Sequence, residues 1–462
     1  MNAYLLVIFA AAAGASVATS RHAYATLLYS NNYELSVRVL GASLVAVGAG
    51  ETARVCLYTS HVSAAVVRRL AGDGWQMASV EHIDMPQSLA PARLRYVYTK
   101  LAVWTFDTLG FSKVVFLDSD TLVVRPIDAL FECGPRFCAS MRHESYHNAG
   151  VLVLATDSNV YADMMQRLLN EPARRDAEQG FLNEFFADVH GASLFNESNG
   201  GSRPPTAASG TGAGTGAGAD GIQRLSFSYN ADPLLYSIAG NRWRMPGEEG
   251  RAGPFVLHYI GDHAKPWQWT SYLLFAACWP WDETRQAAGL GAPLAQPVLV
   301  VAACWLACAL VARSATAGRG IITRPTNRPF ATALLIHALA LVLGFFLVPE
   351  NAPPYHGCVE LSALYGAIFF VAWHLRMPEC TRTLGARASA VEAISLLVLL
   401  AALTAWRSGS FFVKIGVLCA ALVSYTHVAV GVAREAVDSG NVWPPRPAEA
   451  TASDGAMQKE NV

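Results

Sequence analysis

The last third of the chain contains five long apolar stretches, and this feature limits the possible folds most strongly. The stretches lie at residues 294–312, 331–348, 359–375, 389–406 and 411–433. Most of them approach the ~20 residues that an α-helix needs to cross the hydrocarbon core of a bilayer. The third and fourth are short and contain Glu360 and Glu392 near their ends. We therefore predict an α-helical transmembrane bundle of about five spans at residues 290–435.

The basic residues between these stretches alternate along the chain. The loop after the first stretch has Arg313, Arg319, Arg324 and Arg328, the next loop has no Lys or Arg, and the loop after the third stretch has Arg376, Arg382 and Arg387. Lys and Arg are enriched in cytoplasmic loops. This pattern predicts that the first and third loops are cytoplasmic. With five spans, the tail at residues 436–462 is then cytoplasmic and the chain before Leu294 is lumenal or extracellular.

The apolar residues are concentrated at the two ends of the chain. Overall, the 462 residues are 53% hydrophobic and only 15% charged, with a mean hydropathy of +0.28. The formal net charge of -1 gives no support for nucleic-acid binding, which requires a basic surface. An apolar run followed by small residues predicts that residues 1–20 are a secretory signal peptide or a short membrane anchor. A buried first strand is the alternative for this segment.

Two features before the apolar region fit a lumenal location. Asn196-Glu197-Ser198 is an acceptor sequence for N-glycosylation. Cys133 and Cys138 can form a disulfide in an oxidising compartment. Two free thiols are the alternative for this pair.

Residues 21–285 alternate strand-like and helix-like patterns. Strands are predicted at residues 23–29, 54–58 and 113–117, and helices at residues 35–47 and 98–109. Such alternation is typical of an α/β domain with helices on the faces of its sheet. Residues 198–221 are rich in Gly, Ser, Ala and Pro, cannot bury a core, and are predicted to be a flexible surface insertion.

A fully apolar strand ends in two carboxylates, Asp118 and Asp120. Ligands of open α/β sheets bind at the carboxyl ends of strands. Alternate residues of an extended chain point the same way, so both carboxylates can hold one divalent cation against a diphosphate. The sequence therefore favours a metal-binding site here over a simple turn.

Six motifs in order resemble those of the family 8 glycosyltransferases, the group that includes glycogenin. They are residues 23–29 with Tyr33, Tyr98-Thr99-Lys100-Leu101, KVVFLDSDTLVV, Asn148-Ala149-Gly150, Gln179-Gly180-Phe181-Leu182-Asn183, and His258-Tyr259-Ile260-Gly261 with Lys265-Pro266-Trp267. Shorter strings, such as Tyr229-Asn230-Ala231-Asp232, and the apolar C-terminal part resemble the plant inositol-phosphorylceramide glucuronosyltransferases. The resemblance implies a GT-A-type domain with a mixed sheet, a UDP-sugar donor, Mn²⁺, and retention of the anomeric configuration.

The same resemblance assigns roles to individual residues. The implied metal ligands are Asp118, Asp120 and His258. The implied donor-binding residues are Leu27, Tyr29, Tyr33, Lys100, Asp118, Ser119, Asp120, Gly150, His258, Gly261 and Lys265. The implied catalytic residues are Asn148, Glu178, Gln179 and Lys265, the last of which neutralises the leaving diphosphate.

Several residues keep alternative interpretations. Tyr29 either holds the uridine or packs in the core. Lys100 either pairs with the donor phosphate or orders Asp118. Gln179 either stabilises the developing positive charge on the sugar or only positions it.

Glu178 stands where the family usually has Asp, which puts its direct contact with the sugar in doubt. Trp267 and Trp269 either bind substrate, pack in the fold or lie at a membrane interface. Arg93 either pairs with a carboxylate of the donor or is a surface arginine.

We therefore expect a multi-pass enzyme of the Golgi or another secretory-pathway membrane, with a lumenal catalytic domain. Its expected reaction transfers glucuronic acid from a UDP-sugar to an inositol-phosphorylceramide-like sphingolipid. One alternative is a glycogenin-like hexosyltransferase that acts on protein or glycan. Another is a multi-span transporter or receptor with a lumenal binding domain, for which His337, His374, Glu392 and His427 are candidate intramembrane groups. The sequence leaves the oligomeric state open.

Overall fold

A computed structural model describes most of the chain. The described residues are 8–9, 21–83, 96–143, 146–170, 177–195, 221–238, 253–261, 265–291, 295–316, 329–349, 352–376, 382–406, 412–421 and 424. The predictions for Arg93, Asn196, His427, the tail at residues 436–462 and nearly all of the Gly-rich insertion lie outside the described residues. The chain divides into two compact units, Met1–Ala292 with Trp406–Phe412, and Pro293–Ala405 with Val413–Val462.

The first unit is built on an eight-stranded sheet and a two-stranded ribbon. Its strands are β1 Ile8–Phe9, β2 His22–Leu28, β3 Ala53–Tyr58, β4 Gln76–Ser79, β5 Lys113–Leu117, β6 Thr121–Val123, β7 Phe137–His143, β8 Tyr146–Ala155, β9 Ile222–Leu225 and β10 Val256–His258. The order in the large sheet is β1-β4-β3-β2-β5-β8-β7-β9. Strands β4, β3, β2 and β5 run parallel, whereas β8 is antiparallel to both β5 and β7. The predicted α/β class with a mixed sheet is confirmed.

Helices surround this sheet. The α-helices are α1 Glu34–Ala46, α2 Ala64–Gly72, α3 Ser158–Leu168, α4 Ala177–Phe185, α5 Pro233–Ile238, α6 Ser271–Leu274 and α7 Trp279–Ala287. The 3-10 helices are Asn31–Tyr33, Ala49–Glu51, Val97–Leu109, Asp128–Glu132, Ala187–Gly191, Phe227–Tyr229 and Ala276–Cys278. The three strands and two helices predicted from the apolar pattern are confirmed, with ends that move by no more than one residue.

The central strands are buried on both faces, which explains their continuous apolar sequence. In β5, Val114 and Phe116 pack into one core cluster, while Val115 and Leu117 pack into the cluster on the opposite face. This alternation follows from the two-residue period of a strand. The chain leaves the sheet directly after Leu117, so the next residue, Asp118, is the first polar group beyond the buried layer.

The small ribbon brings a late part of the chain next to the end of β5. Strand β10 pairs antiparallel with β6, with His258 opposite Thr121 and Val256 opposite Val123. The backbone N–H of Tyr259 also donates to the carbonyl oxygen of Asp120 at 3.0 Å. This register fixes the end of β10 beside the predicted carboxylate pair.

Two sequence predictions with alternatives concern the first unit. Cys133 and Cys138 are joined in a disulfide, with their Cα atoms 6.5 Å apart, so the alternative of two free thiols is wrong. Ile8–Phe9 pairs antiparallel with β4 at the sheet edge. A short strand therefore lies within the segment predicted to be a signal peptide or anchor, and that role stays a prediction.

The second unit consists of helices at the positions of the apolar stretches. They are α8 Ala295–Thr316, α9 Pro329–Leu347, α10 Pro354–Arg376 and α11 Arg382–Ala405, followed by helical residues at Phe412–Ala421. Within the described residues, two segments are long and apolar enough to cross a membrane, Ala295–Arg313 and Pro354–Leu375. The other apolar helices are shorter, and the predicted count of about five spans is therefore not confirmed.

Three helices of the second unit share a buried polar contact. The hydroxyl of Tyr365 on α10 lies 2.8 Å from Nδ1 of His337 on α9. It also donates to the carboxylate of Glu392 on α11. Polar groups between apolar helices gain from being paired, and here they link α9, α10 and α11.

Candidate active site

Three predicted metal ligands converge where β5 and β10 end. Nε2 of His258 lies 3.3 Å from Oδ1 of Asp120 and 3.8 Å from Oδ2 of Asp118. One ligand atom from each of the three residues falls within 4.8 Å of the others. A turn places the carboxylates, because the backbone N–H and the hydroxyl of Thr121 both donate to the carbonyl oxygen of Asp118. Two hard carboxylates and an imidazole fit a divalent cation.

Lys265 brings a positive charge to the same place. Its ammonium group donates to Oδ2 of Asp120 at 2.5 Å and to the carbonyl oxygen of Tyr259 at 2.6 Å. Burial alone would raise the pKa of Asp120, but the adjacent Lys265 and His258 hold it well below its ordinary value. Asp120 is therefore ionised over the whole physiological range, as a metal ligand must be.

Lys100 is a second buried cation, and it connects two carboxylates. Its Nζ lies 2.8 Å from Oδ1 of Asp118, 2.9 Å from Oε1 of Glu178 and 3.3 Å from the carbonyl oxygen of Ala149. Burial alone would lower the pKa of Lys100, but Asp118 and Glu178 raise it above its ordinary value. The Glu178 carboxylate is thus engaged by a lysine, which agrees with the doubt about its direct contact with the sugar.

Two amide side chains form the next part of the site. Nδ2 of Asn148 donates to Oε1 of Gln179 at 2.9 Å, and the backbone N–H of Ala149 donates to the same oxygen at 3.3 Å. Gln179 lies in the first turn of α4, which begins at Ala177 with a left-handed φ of 49°. A left-handed backbone at a residue other than glycine costs roughly 1–2 kcal/mol. That strained residue places the start of α4, with Glu178 and Gln179, beside the first residues of β8.

Aromatic rings border the site on the side of β2. The rings of Tyr29 and Tyr33 have centroids 5.4 Å apart, and Tyr33 meets Trp267 edge-on at 5.6 Å. Burial, assisted by Tyr33, raises the pKa of the Tyr29 hydroxyl far above its ordinary value, so the hydroxyl stays neutral. Trp269 is buried in the fold, whereas Trp267 contacts Tyr33 and packs beside Lys265.

These groups enclose a cavity of about 300 Å³. Its lining includes the predicted residues Leu27, Tyr29, Tyr33, Lys100, Asp118, Ser119, Asp120, Asn148, Glu178, Gln179, His258 and Lys265. Val97 and Ile260 also line it and were not predicted, because apolar residues carry no chemical signal in a sequence.

Two predicted glycines do not line this cavity. Gly150 lies directly against the His258 ring, where any side chain would overlap it. Gly261 is exposed, and a Cβ atom there would meet open space. The described residues therefore give a steric reason for glycine at position 150 and none at position 261.

A larger cavity of about 710 Å³ lies between α1 and α7. Its charged lining is largely engaged, since Arg38 pairs with Asp73 at 2.6 Å and Arg54 donates to the carbonyl oxygen of Gly41 at 3.0 Å. Within the described residues, the group of potential metal ligands is the one at Asp118, Asp120 and His258. The smaller cavity therefore carries the candidate chemistry.

One family profile and several plant proteins are similar to this chain. The sequence profile of Glycosyl transferase family 8 matches residues 26–271, a range that contains every residue lining the smaller cavity. Inositol phosphorylceramide glucuronosyltransferase 1 of Arabidopsis thaliana is 33% identical over 271 residues, which are 58% of this chain and 46% of that protein. UDP-glucuronate:xylan alpha-glucuronosyltransferase 1 of Arabidopsis thaliana is 26% identical over 170 residues, 37% of this chain and 25% of that protein. This chain thus matches less than half the length of either relative.

A solved galactosyltransferase in complex with donor and acceptor sugar analogs also resembles this chain. The likeness covers 59% of this chain and 98% of that one, with a TM-score of 0.39 and 19% sequence identity.

Proposed function

This chain belongs to glycosyl transferase family 8, and from that premise we propose that it transfers glucuronic acid from a UDP-sugar to an inositol-phosphorylceramide-like sphingolipid. The observation that carries the proposal is the convergence of Asp118, Asp120, His258 and Lys265 in one cavity at the end of β5. Carboxylates, an imidazole and an ammonium group at this place suit a diphosphate bound through a divalent cation.

The proposed cation is Mn²⁺, held by Asp118, Asp120 and His258. A mixed set of oxygen and imidazole ligands suits that ion. When bound, the cation offsets the negative charge of the donor diphosphate. Lys265, which donates to Asp120, lies close enough to the ligands to stabilise the leaving diphosphate as well. Leu27, Tyr29 and Tyr33 form the proposed uridine site.

Glucuronic acid is the proposed sugar because the donor is the common element among the relatives. The two Arabidopsis relatives differ in the acceptor that their names state, a sphingolipid or a xylan, but both names state glucuronosyl transfer. The site is also compatible with an acidic sugar, since the Glu178 carboxylate is paired with Lys100. The donor carboxylate would therefore not meet an unpaired glutamate.

The proposed reaction exchanges one bond at the anomeric carbon of the sugar for another on the same face. The bond from the anomeric carbon to the UDP phosphate oxygen breaks, and a bond from that carbon to the acceptor oxygen forms. The acceptor hydroxyl proton passes to the leaving phosphate. Asn148 and Gln179 position the sugar, and Gln179 faces the positive charge that develops on it. Glu178 acts through Lys100.

The C-terminal part supports the proposal of a lipid acceptor and a lumenal catalytic domain. Two segments can cross a membrane, and the arginine pattern favours a lumenal first unit. The disulfide between Cys133 and Cys138 fits an oxidising compartment such as the Golgi lumen. We propose a leader or anchor at residues 1–20, a catalytic domain at 21–285, a multi-pass bundle at 290–435 and a cytoplasmic tail at 436–462.

The experiment that tests this proposal is sugar transfer by the full-length protein in detergent or membranes. UDP-glucuronic acid, UDP-glucose and UDP-galactose, each radiolabelled in the sugar, are offered with a membrane lipid extract. We expect label in the sphingolipid fraction from UDP-glucuronic acid. Label in lipid from another donor would correct the sugar, and label only in protein or glycan would favour the glycogenin-like alternative. Substrate uptake into vesicles without transfer would favour the transporter alternative.

A further inference from the structure

Asn230 lies behind His258, outside the cavity lining, and is 2% exposed. It follows the 3-10 helix Phe227–Tyr229. Its Oδ1 lies 2.8 Å from Nδ1 of His258, on the opposite side of the ring from the carboxylates. Its Nδ2 donates to Oδ1 of Asn148 at 2.8 Å. One buried amide thus contacts both a proposed metal ligand and a proposed sugar-positioning residue.

Backbone donors fix the direction of every hydrogen bond in this chain of side chains. The Gly150 N–H can only donate, so the Asn148 atom that it meets at 2.8 Å is the amide oxygen. The Asn230 atom facing that oxygen must then be the amide nitrogen. The other amide atom of Asn230, which faces His258, is therefore its oxygen.

This order determines which nitrogen of His258 carries hydrogen. Because Oδ1 of Asn230 can only accept, Nδ1 of His258 must be the donor. In the neutral imidazole, Nε2 then keeps its lone pair. Nε2 is also the nitrogen that faces Asp120 at 3.3 Å, where the cation would lie. Metal-bound histidines generally donate their other ring N–H to a neighbouring acceptor, which fixes the tautomer and the ring orientation.

We propose that Asn230 is a positioning residue that holds His258 in its metal-binding tautomer and couples it, through Asn148, to Gln179. The inference rests on the metal site of the proposed function. The two amide atoms of Asn230 make separate contacts. The oxygen accepts from His258 and so orients the proposed metal ligand. The nitrogen donates to Asn148, which in turn donates to Gln179 on the sugar side of the cavity.

The two contacts can be separated by substitution. Asn230→Leu has nearly the same size and loses both hydrogen bonds. Asn230→Asp keeps an acceptor for Nδ1–H of His258 but places an oxygen against Oδ1 of Asn148. Gln223→Leu is the matched control, because Gln223 is another buried amide, whose Oε1 accepts from the backbone N–H of Gly134 and which does not line the cavity.

The readout is the Mn²⁺ dissociation constant of the purified full chain with UDP and no sugar donor, measured from the electron paramagnetic resonance signal of free Mn²⁺. We expect Asn230→Leu to weaken Mn²⁺ binding by ~10–100-fold, as loss of such outer contacts typically does. Asn230→Asp and Gln223→Leu should keep the wild-type value. Thermal melting of the three variants checks that each is folded.

Three outcomes would contradict the inference. Wild-type affinity in a folded Asn230→Leu protein would overturn it. If Asn230→Asp weakened Mn²⁺ binding as much as Asn230→Leu does, the inference would also be wrong. An acceptor beside Nδ1 of His258 would then not determine the Mn²⁺ affinity. A wild-type protein that binds no Mn²⁺ would overturn the metal site itself, and this inference with it, whether or not sugar transfer is observed.

Discussion

Gly150 and His258 are in such close contact that a methyl group on Gly150 would overlap the imidazole ring. The ring is buried, with Asn230 on one side and the carboxylates on the other, so it has little room to move aside. We predict that Gly150→Ala displaces the ring and weakens Mn²⁺ binding by at least ~10-fold, as other losses of ligand orientation do. Titration with Mn²⁺ in the presence of UDP measures the effect.

Gly72 is the matched control for this substitution. It ends α2, and a Cβ atom there would have nothing within 4 Å. Gly72→Ala should leave Mn²⁺ affinity unchanged and stabilise the helix slightly. If Gly150→Ala binds Mn²⁺ as well as Gly72→Ala does, the contact with His258 does not set the metal geometry.

Removal of the metal should abolish sugar transfer. A chelator should abolish product formation from UDP-glucuronic acid, and added Mn²⁺ should restore it in the wild type. Asp120→Asn, which removes a proposed ligand and the partner of Lys265, should not be restored. Asp163→Asn makes the same chemical change at an exposed ion pair on α3 and should behave as wild type. Transfer that survives chelation would contradict the role of the metal.

Loss of Lys100 should cost more stability than loss of one of its two carboxylate partners. Glu178→Gln leaves Lys100 paired with Asp118, so we expect the free energy of unfolding to fall by about 1.5–3 kcal/mol, the range for a hydrogen bond to a charged group. Lys100→Met leaves both carboxylates without this partner and should cost about 3–5 kcal/mol. Denaturant unfolding measures both values.

An exposed ion pair provides the reference for that comparison. Glu34 pairs with Arg69 on the surface, and Glu34→Gln should cost less than about 1 kcal/mol. A cost for Lys100→Met as small as that for Glu34→Gln would show that the contacts of Lys100 with Asp118 and Glu178 do not hold α4 against the end of β5.

His147 should make the first unit sensitive to acid. Burial, with a smaller contribution from His190, lowers the pKa of His147 to about 3. Between pH 6.5 and 3 the unfolded chain takes up a proton here that the folded chain does not, so stability falls as the pH falls. The expected slope is ~1.4 kcal/mol per pH unit.

His147→Leu should flatten this pH dependence. Thermal unfolding at pH 7.5 and at pH 5 should show a smaller difference for His147→Leu than for the wild type. His61 is exposed, and His61→Leu should keep the wild-type difference. An unchanged difference in His147→Leu would mean that other groups dominate the acid response.

The sequence predicted several elements of the first unit well because the central strands β2, β3 and β5 are mostly apolar. Because β2 and β5 are buried on both faces, most of their residues must be apolar, and polar residues follow where each strand ends. The spans of the second unit are harder to count. The helices α9 and α11 are long, but the apolar part of each is shorter than a membrane span. Length and hydropathy place these helices but do not decide which of them cross a bilayer.

The chemistry of the charged site residues is visible in their motifs, whereas the role of Asn230 is not, although its string Tyr229-Asn230-Ala231-Asp232 contributes to the family resemblance. Asp118, Asp120 and Lys265 belong to motifs whose chemistry is visible in the sequence. Asn230 acts through contacts with His258 and Asn148, which are 28 and 82 residues away along the chain. Only the fold brings such residues together, and an asparagine in a loop is most often a turn residue.

The ribbon of β6 and β10 also has a consequence for biosynthesis. Lys265 and Asp120 are separated by 145 residues. His258, at the end of β10, also comes late in the chain. A nascent chain that has left the ribosome only as far as β8 therefore carries Asp118 and Asp120, and Lys100 beside Asp118, but neither His258 nor Lys265. Contacts between such distant residues form slowly. The candidate site is thus completed only when β10 and Lys265 have been made, and a prematurely terminated polypeptide would lack them even if most of the large sheet had folded.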